Sequence, residues 1–583
     1  MKAALIIVLW GVLLLPASSS ALSWSEETFA AARAQQKPIL LIVSVASCHE
    51  CAAVAPDPDF ILVELNADEH PRIAAAYARF ARAAGNAGAY PIQLALTPFL
   101  DPLAVIDSAA DRRSVATRWR DDRDAMIAES GLVMRRLQLS GAASAAVDPP
   151  DTPLQRARSA RALLRSPDGE DRQKAFAVLR GMTATPLYDL LGGGFHHAAR
   201  DAAWTIPRFE KLLRDQAEIA IAFTEAWQSS PEPLFEEVAR LTLDQIAHDF
   251  FDVSRRAFAT GLAADALVPR RGPEVLEGGH YVWRLDEIQH LLGPSLSGRV
   301  ASHFGLTTEG NVPRQFDPRG DFEGRNVFMT RTSDDPEIQK AVEVLRATRS
   351  NRPLHLRDPR VITEYNALAI SALARGAAVF GERSWIEAAA RAAAQFLGSK
   401  RIVRSARVAP TAPDCDALVH ALIDMYEVTF DPAYLERALA VQREAGSVEP
   451  DAEVPEVMRG FLPAPRPVVH PGPSGAERVA SITAPGTSPI RQLVIAGPLS
   501  DPQTDAFLRS GRQSFLPPRM VIVIQSRRSR AALERLMPYL AGVTQVEEKV
   551  AATVCQQGRC RTPATDPATV DAWLNGPAAA PAP

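Results

Sequence analysis

Cys48-His49-Glu50-Cys51 is the segment of this sequence best suited to chemistry, because it holds two thiols three positions apart. A C-x-x-C pair between a buried strand and a helix start supports thiol–disulfide exchange. The helix N-terminus favours the first thiolate, and the second cysteine resolves a mixed disulfide. That gives attack to Cys48 and resolution to Cys51. The residues between them act in opposite directions, since a charged His49 lowers a thiol pKa and a Glu50 carboxylate raises it. A static disulfide is the competing reading. A zinc site on Cys48, Cys51 and a remote His lacks a second ligand pair at recognisable spacing, so no metal is expected.

The surrounding sequence supplies the elements such a pair needs. Residues 37–43, KPILLIV, form a continuous apolar run, the pattern of a strand covered on both faces, and lead directly to Cys48. Residues 60–65 read as a second strand, Pro71 to Ala84 as an Ala-rich helix, and 92–96 as a third strand opening at Tyr90-Pro91. Pro91 is then the proline that supports the redox pair. The helix after Cys51 has only Ala52 to Ala55 before Pro56 and Pro58 stop it, so its dipole is short.

At 583 residues the chain has room for two to four domains of roughly 150 residues each. Its 64 basic and 68 acidic residues nearly balance and no basic run occurs, which argues against a nucleic-acid partner. Five cysteines in this length exclude a disulfide-stapled miniprotein. Ala3 to Leu15 is an apolar run behind Met1 and Lys2, broken by Pro16; Ser19 and Ala21 suit a cleavage site. The run is short for a spanning helix, which needs about 20 apolar residues. These features predict a signal peptide, a mature chain without a membrane span, and export to the periplasm or beyond. An uncleaved anchor is the alternative.

Further on, helical segments recur in pairs. Pro207 to Gln228 and Glu232 to Phe251 flank a Ser-Ser-Pro break, and two more helices stop at Gly381 and Gly398. Asp431-Pro432 is an N-cap with proline in the first turn. Successive hairpins over this length predict an α/α toroid or solenoid, too large for a four-helix bundle. The remaining chain is Pro-rich and then α/β, with strands at 493–496 and 520–524 around a helix from Asp505 to Arg512. Cys555 and Cys560 are close enough in sequence to close a short disulfide loop, and Cys415 reads as a buried hydrophobe. The expected division is 1–21 signal peptide, 22–138 thioredoxin-like domain, 139–153 linker, 154–445 helical barrel and 446–583 a Pro-rich connection with a small α/β segment.

The order of these segments resembles the spermatogenesis-associated protein 20 type family. Cys48-His49-Glu50-Cys51 is similar to its C-H-W-C, Leu191-Gly192-Gly193-Gly194-Phe195-His196 matches its L-G-G-G-F-H, and residues 207–215, PRFEKLLRD, are similar to its P-H-F-E-K-M-L-Y-D. Tyr90-Pro91, Thr97-Pro98, Tyr281-Val282-Trp283, Glu309-Gly310-Asn311, residues 363–368 (TEYNAL), Cys555 to Cys560 and residues 565–567 follow in the family's sequence. The chain also departs from the pattern. Glu50 replaces a Trp, Arg208 a His, Arg214 a Tyr, Leu267 an acid, and Tyr365 and Ala367 a Trp and a Gly. The stretch from 446 to 490 lacks room for a last hairpin.

The resemblance implies a thioredoxin-like domain joined to a six-hairpin glycosidase-like (α/α) barrel, here short or open, and a carbohydrate site in the barrel mouth. Acid–base chemistry there needs carboxylates, or a His with a carboxylate, facing one cavity. The candidates are His196, Glu210, Asp215, Asp265, Asp358 and Glu364. Glu210 and Asp215 read equally as helix-face charges, His196 as a loop support, and Gly192 to Gly194 as a tight turn or a ligand cradle. The leading expectation is an exported thiol–disulfide exchange protein whose barrel holds a protein client. The alternative is a carbohydrate-binding or carbohydrate-processing barrel, with a small-molecule ligand and a structural disulfide. Neither requires a cofactor.

Overall fold

The computed structural model describes residues 21–47, 54–86, 90–139, 151–267, 275–317, 320–329, 333–353, 356–399, 401–406, 408–448, 454–462, 472–485, 488–513, 515 and 518–576. The predicted signal segment lies almost wholly outside these residues. The chain divides into two compact units, one formed by Met1–Ala146 with Asp451–Pro465 and one by Val147–Pro450 with Arg466–Pro583.

The first unit has a thioredoxin-like sheet. Its elements in chain order are β1 (Leu22–Ser23), α1 (Glu26–Gln35), β2 (Ile39–Ser44), β3 (Ile61–Asn66), α2 (Pro71–Ala83), β4 (Ile92–Leu96), β5 (Pro102–Val105), α3 (Ala109–Asp121) and α4 (Arg123–Leu139). The strand order is β1-β3-β2-β4-β5, with β2 parallel to β3 and antiparallel to β4. β2 is central and buried along its whole length. Ile39, Leu41 and Val43 pack with α1 and α2 on one face, and Leu40 and Ile42 pack with Val115 and Trp119 of α3 on the other. Burial on both faces is why that strand is apolar at every position rather than alternating.

The second unit is built on helical hairpins: α5 (Pro153–Leu164) with α6 (Gly169–Thr183), α7 (Leu213–Ser229) with α8 (Pro233–Gln245), α11 (Thr363–Phe380) with α12 (Arg383–Gly398), and α13 (Ala412–Thr429) with α14 (Pro432–Ala445). Between the second and third pairs lie α9 (Leu285–Phe304) and α10 (Pro336–Arg349), which pack on each other. α5, α7, α11 and α13 adjoin in that order, followed by the short α15 (Gly475–Thr483). These are the inner helices of the toroid. α7, α11 and α13 are buried on nearly all sides, whereas α8, α12 and α14 bury one stripe. Each inner helix is followed by an outer one that returns, so the inner helices run in the same direction. Among the described residues, the helix that follows α14 along the ring is the single short α15, and no further hairpin stands there.

The C-terminal strands β6 (Arg491–Ala496), β7 (Arg519–Ile524), β8 (Ala551–Gln556) and β9 (Arg559–Cys560) form a sheet in the order β7-β6-β8-β9, with α16 (Pro502–Arg512) joining the parallel pair and α17 (Arg527–Leu536) and α18 (Pro567–Asn575) following. Cys555 and Cys560 face each other across the β8–β9 hairpin and are disulfide-bonded.

Three expected boundaries are corrected. The C-terminal sheet is not a separate domain, because Val494, Ile522 and their neighbours enter the same core as α11, α13 and α14. Residues 451–465 belong to the first unit, because Val454 and Met458 join the core around α2. The helix expected from Pro207 starts at Leu213 instead, since Lys211–Leu212 pairs as a strand with Gly261–Leu262.

Met458 is fully buried far along the chain from the sheet it supports. Met458→Ala should therefore destabilise the first unit by about 2–4 kcal/mol. Urea unfolding followed by a signal specific to Trp24 and Trp119 checks this, with the transition of the second unit unchanged.

Candidate functional site

Cys48, His49, Glu50 and Cys51 lie outside the described residues. What leads up to them is described. β2 ends at Ser44, and the N–H of Ala46 donates to the buried Asp68 carboxylate at 2.7 Å. Asp68 is held in turn, because Asn66 Oδ1 accepts its N–H at 3.0 Å. Ser44 Oγ donates to Glu64 Oε1 at 2.6 Å, tying the ends of β2 and β3 together. Val43 stands opposite Ile92, so Pro91 sits at the end of the sheet from which the cysteine segment departs. The Tyr90–Pro91 peptide is cis.

In the second unit, the sequence candidates separate. His196 is buried, its Nδ1 lies 3.1 Å from the Phe209 carbonyl, and its ring meets Phe209 and Tyr281 edge-on. Burial, then Lys211, pushes its pKa down to about 3, so it is a neutral core residue and not an acid–base group. Its neighbour His197 takes the expected place: Nδ1 lies 2.7 Å from Asp215 Oδ2. Successive residues of an extended chain point to opposite faces, and the sequence gives no sign of which histidine faces the core.

Asp215 and Glu210 come together around His197. Burial alone would raise the Asp215 carboxyl, but His197 and Arg214 outweigh it and hold it below the usual range. His197 is raised, because Asp215 outweighs the effect of burial. Glu210 is raised, first by burial and further by Glu277. Among the described residues, Glu210 Oε2 and Asp215 Oδ1 are buried side-chain oxygens with no hydrogen-bond partner, although Arg214 Nε stands 3.7 Å from the latter. Asp265 pairs across a short hairpin with Glu277, which is salt-bridged to Arg200.

Glu364 and Asp358 are engaged elsewhere. Arg404 Nη1 bonds Glu364 Oε2 at 3.1 Å, and Asp414 accepts the Glu364 N–H. Asp358 is bonded to Arg360. Carboxylates with unequal proton affinities are the arrangement that separates a proton donor from an ionised partner. Here Glu210 is the group held protonated to higher pH and Asp215 the ionised one.

Sequence reasoning missed Asp189, Lys211 and Arg349. Lys211 Nζ donates to Asp189 Oδ2 and the Gly193 carbonyl, both at 2.7 Å, and Arg349 forks onto both Asp189 oxygens at 2.6 and 2.8 Å. The N–H groups of Leu191 and Gly192 also donate to Asp189. This knot fixes the Gly-rich segment as a packed turn. Gly193 and Gly194 have positive φ, and a Cβ on Gly193 would meet the Leu241 carbonyl oxygen at 2.6 Å. The turn reading of 192–194 therefore holds over the ligand-cradle reading. Cys415 is buried, and burial, then Asp414, pushes its thiol up to about 12. Among the described residues no helix is long and apolar enough to cross a membrane, and no group of His, Cys, Asp or Glu could hold a metal ion.

Residues 19–137 match the family model Thioredox_DsbH, described as "Protein of unknown function, DUF255". The chain is 24% identical to human spermatogenesis-associated protein 20 over 698 aligned positions, covering 93% of this chain and 88% of that protein. Among solved structures, unsaturated glucuronyl hydrolase from Bacillus sp. GL1 is similar at 11% identity with a TM-score of 0.30, covering 67% of this chain and 87% of that one. Cellobiose 2-epimerase from Spirochaeta thermophila is similar at 14% identity with a TM-score of 0.24, covering 54% and 80%.

Two outcomes follow from the charge arrangement. Asp215→Asn removes the group that raises His197, so the His197 pKa measured by NMR should fall in that variant. Because the folded-state pKa of His197 is raised, the stability it contributes is full below about 6.5, its unfolded value. It is lost as pH rises through the folded pKa. The stability gap between wild type and His197→Gln should therefore close as pH rises through that range, read from urea midpoints. Gly193→Ala should cost about 2–4 kcal/mol, from positive-φ strain and a backbone clash.

Proposed function

We propose that the chain is a member of the spermatogenesis-associated protein 20 type family, to which it is similar along 93% of its length, and an exported thiol–disulfide exchange protein acting through Cys48 and Cys51. The observation that carries this reading is the buried central strand of a thioredoxin-like sheet, which ends at Ser44, shortly before Cys48 in the sequence. The Cys48 thiolate attacks one sulfur of a client disulfide, breaking that S–S bond, expelling the other client sulfur as a thiolate and forming a mixed disulfide. Cys51 then displaces the client sulfur as a thiolate, which leaves Cys48–Cys51 oxidised and the client reduced by two electrons. An external dithiol resets the pair, or a disulfide oxidant does so when the exchange runs in reverse. The hydrogen bond from Ala46 to Asp68 holds the approach to Cys48, so Asp68 is a positioning residue in this scheme. Export agrees with the apolar run at residues 3–15 and with the Cys555–Cys560 bridge, which persists in an oxidising compartment. The toroid's role is to hold the client.

A second reading is favoured by one observation, the opposed proton affinities of Glu210 and Asp215 beside His197. In this reading the toroid mouth takes a carbohydrate, with Glu210 as proton donor and Asp215 as the ionised partner.

The decisive measurement is the reduction potential of the Cys48–Cys51 pair, taken by mass-shift titration in glutathione and dithiothreitol buffers. A value between about −120 and −270 mV is expected, the span of known exchange catalysts. Cys48→Ser should abolish exchange, and Cys51→Ser should trap the mixed disulfide. A potential below about −300 mV with an unreactive Cys48 would overturn the redox reading. The second reading predicts a sugar-dependent rise in melting temperature that survives Cys48→Ser and is lost in Glu210→Gln.

A further inference from the structure

The axis of the toroid holds charge, and at the end away from His197 and Asp215 it opens into a cavity of about 190 Å³. Three carboxylates face it. Glu225 of α7 takes forked bonds from Arg161, at 3.0 and 3.1 Å, and from Arg165, at 2.8 and 2.7 Å. Asp424 of α13 is bonded by Arg375 at 2.9 Å and Arg478 at 2.6 Å. Glu427 is bonded by Arg478 at 3.0 Å and by the N–H of Val521 at 2.7 Å.

The acids are outnumbered. Besides those four arginines, Arg512 lines the same cavity, so among the described residues five guanidinium groups face three carboxylates; Arg519 lines it too and has Asp571 as a charge partner. Arg512 is lowered by burial, which Glu427 and then Asp505 only partly offset, and Arg519 is lowered to about 10 by burial, which Asp571 only partly offsets. Arg375 and Arg165 lie among inner helices, yet their side chains are 32% and 18% exposed because they border the cavity. Arg375 uses Nε on Asp424 and Nη1 on Glu225, which leaves a further N–H edge for a ligand.

We propose that this lumen cavity is a binding site for a small phosphate-bearing dianion, held by Arg375 and Arg165 with Arg512 at its wall. The charge count selects a dianion, because a monoanion offsets only one of two excess positive charges. The several arginine edges select a phosphate, whose oxygens accept forked guanidinium bonds from more than one direction. The cavity has room for a phosphate group with a small organic part. The site lies wholly in the second unit and is independent of Cys48 and Cys51.

The test is isothermal titration of inorganic phosphate into the full mature chain, against chloride at matched ionic strength. One saturable site per chain is expected, with a melting temperature that climbs with phosphate concentration. Arg375→Gln should weaken binding at least tenfold. Glu225 keeps Arg161 and Arg165 in that variant, and Asp424 keeps Arg478, so it should fold; if it does not, Arg512→Gln decides. Tighter binding of glucose 6-phosphate would assign the site to a phosphate ester, and equal or weaker binding to free phosphate. Three results would overturn the proposal: no saturable phosphate binding, equal binding of acetate, or unchanged binding in a folded Arg375→Gln variant. The first would mean that the helix C-terminal dipoles alone offset the arginines.

Discussion

The second unit depends on burying charge along the axis of a ring of parallel helices. Arg158 and Arg161 of α5 and Arg165, which caps its C-terminal end, fall at helical spacing and meet Glu218 and Glu225 of α7. Arg375 of α11 reaches Glu225 on one side and Asp424 of α13 on the other, and Arg478 of α15 closes onto Asp424 and Glu427. The apolar layer between inner and outer helices stabilises the ring but is non-directional. Ion pairs carry direction, and removing one partner of a buried pair costs roughly 3–5 kcal/mol. The order and register of the inner helices are therefore written in the lumen, and the stabilising bulk lies outside it.

The same logic operates at the opposite end of the ring. Two adjacent pairs, His196-His197 and Glu210-Lys211, lie on extended backbone joined by the bond from His197 N–H to the Glu210 carbonyl at 2.8 Å. Each pair sends one member inward and one outward. His196 and Lys211 go to the core, where Lys211 completes the Asp189 knot, while His197 and Glu210 face the other way with Asp215. The outward residues owe their positions to the inward ones. A buried Lys–Asp–Arg cluster that fixes a glycine turn, a helix and a strand at once is a rigid base for a site above it.

This arrangement explains what could be read from the sequence. The central strand, the paired helices, the stop at Gly381 and the Asp431-Pro432 cap depend on local chemistry, and they stand where periodicity and capping place them. The Asp189 knot joins residues as far apart as 189 and 349, and no local pattern marks such partners. The lumen arginines look like a solvated helix face, because spacing shows which residues share a face but not what that face meets. Choosing His197 over His196 needed the strand's orientation. The return of Val454 and Met458 to the first unit is hidden in a Pro-rich stretch whose composition resembles a linker.

The five cysteines show how environment sorts like groups. Cys415 is buried beside Asp414, which disfavours its thiolate and leaves it inert. Cys555 and Cys560 are locked opposite each other in a hairpin, and Cys555 is buried. Both features oppose facile exchange, even though Cys560 itself is exposed. Cys48 and Cys51 differ from these in following a strand end whose backbone is tied down by a buried carboxylate. Thiol reactivity in the folded chain should therefore report on that pair alone, so peptide-resolved labelling separates exchange chemistry from the reduction of a structural bridge.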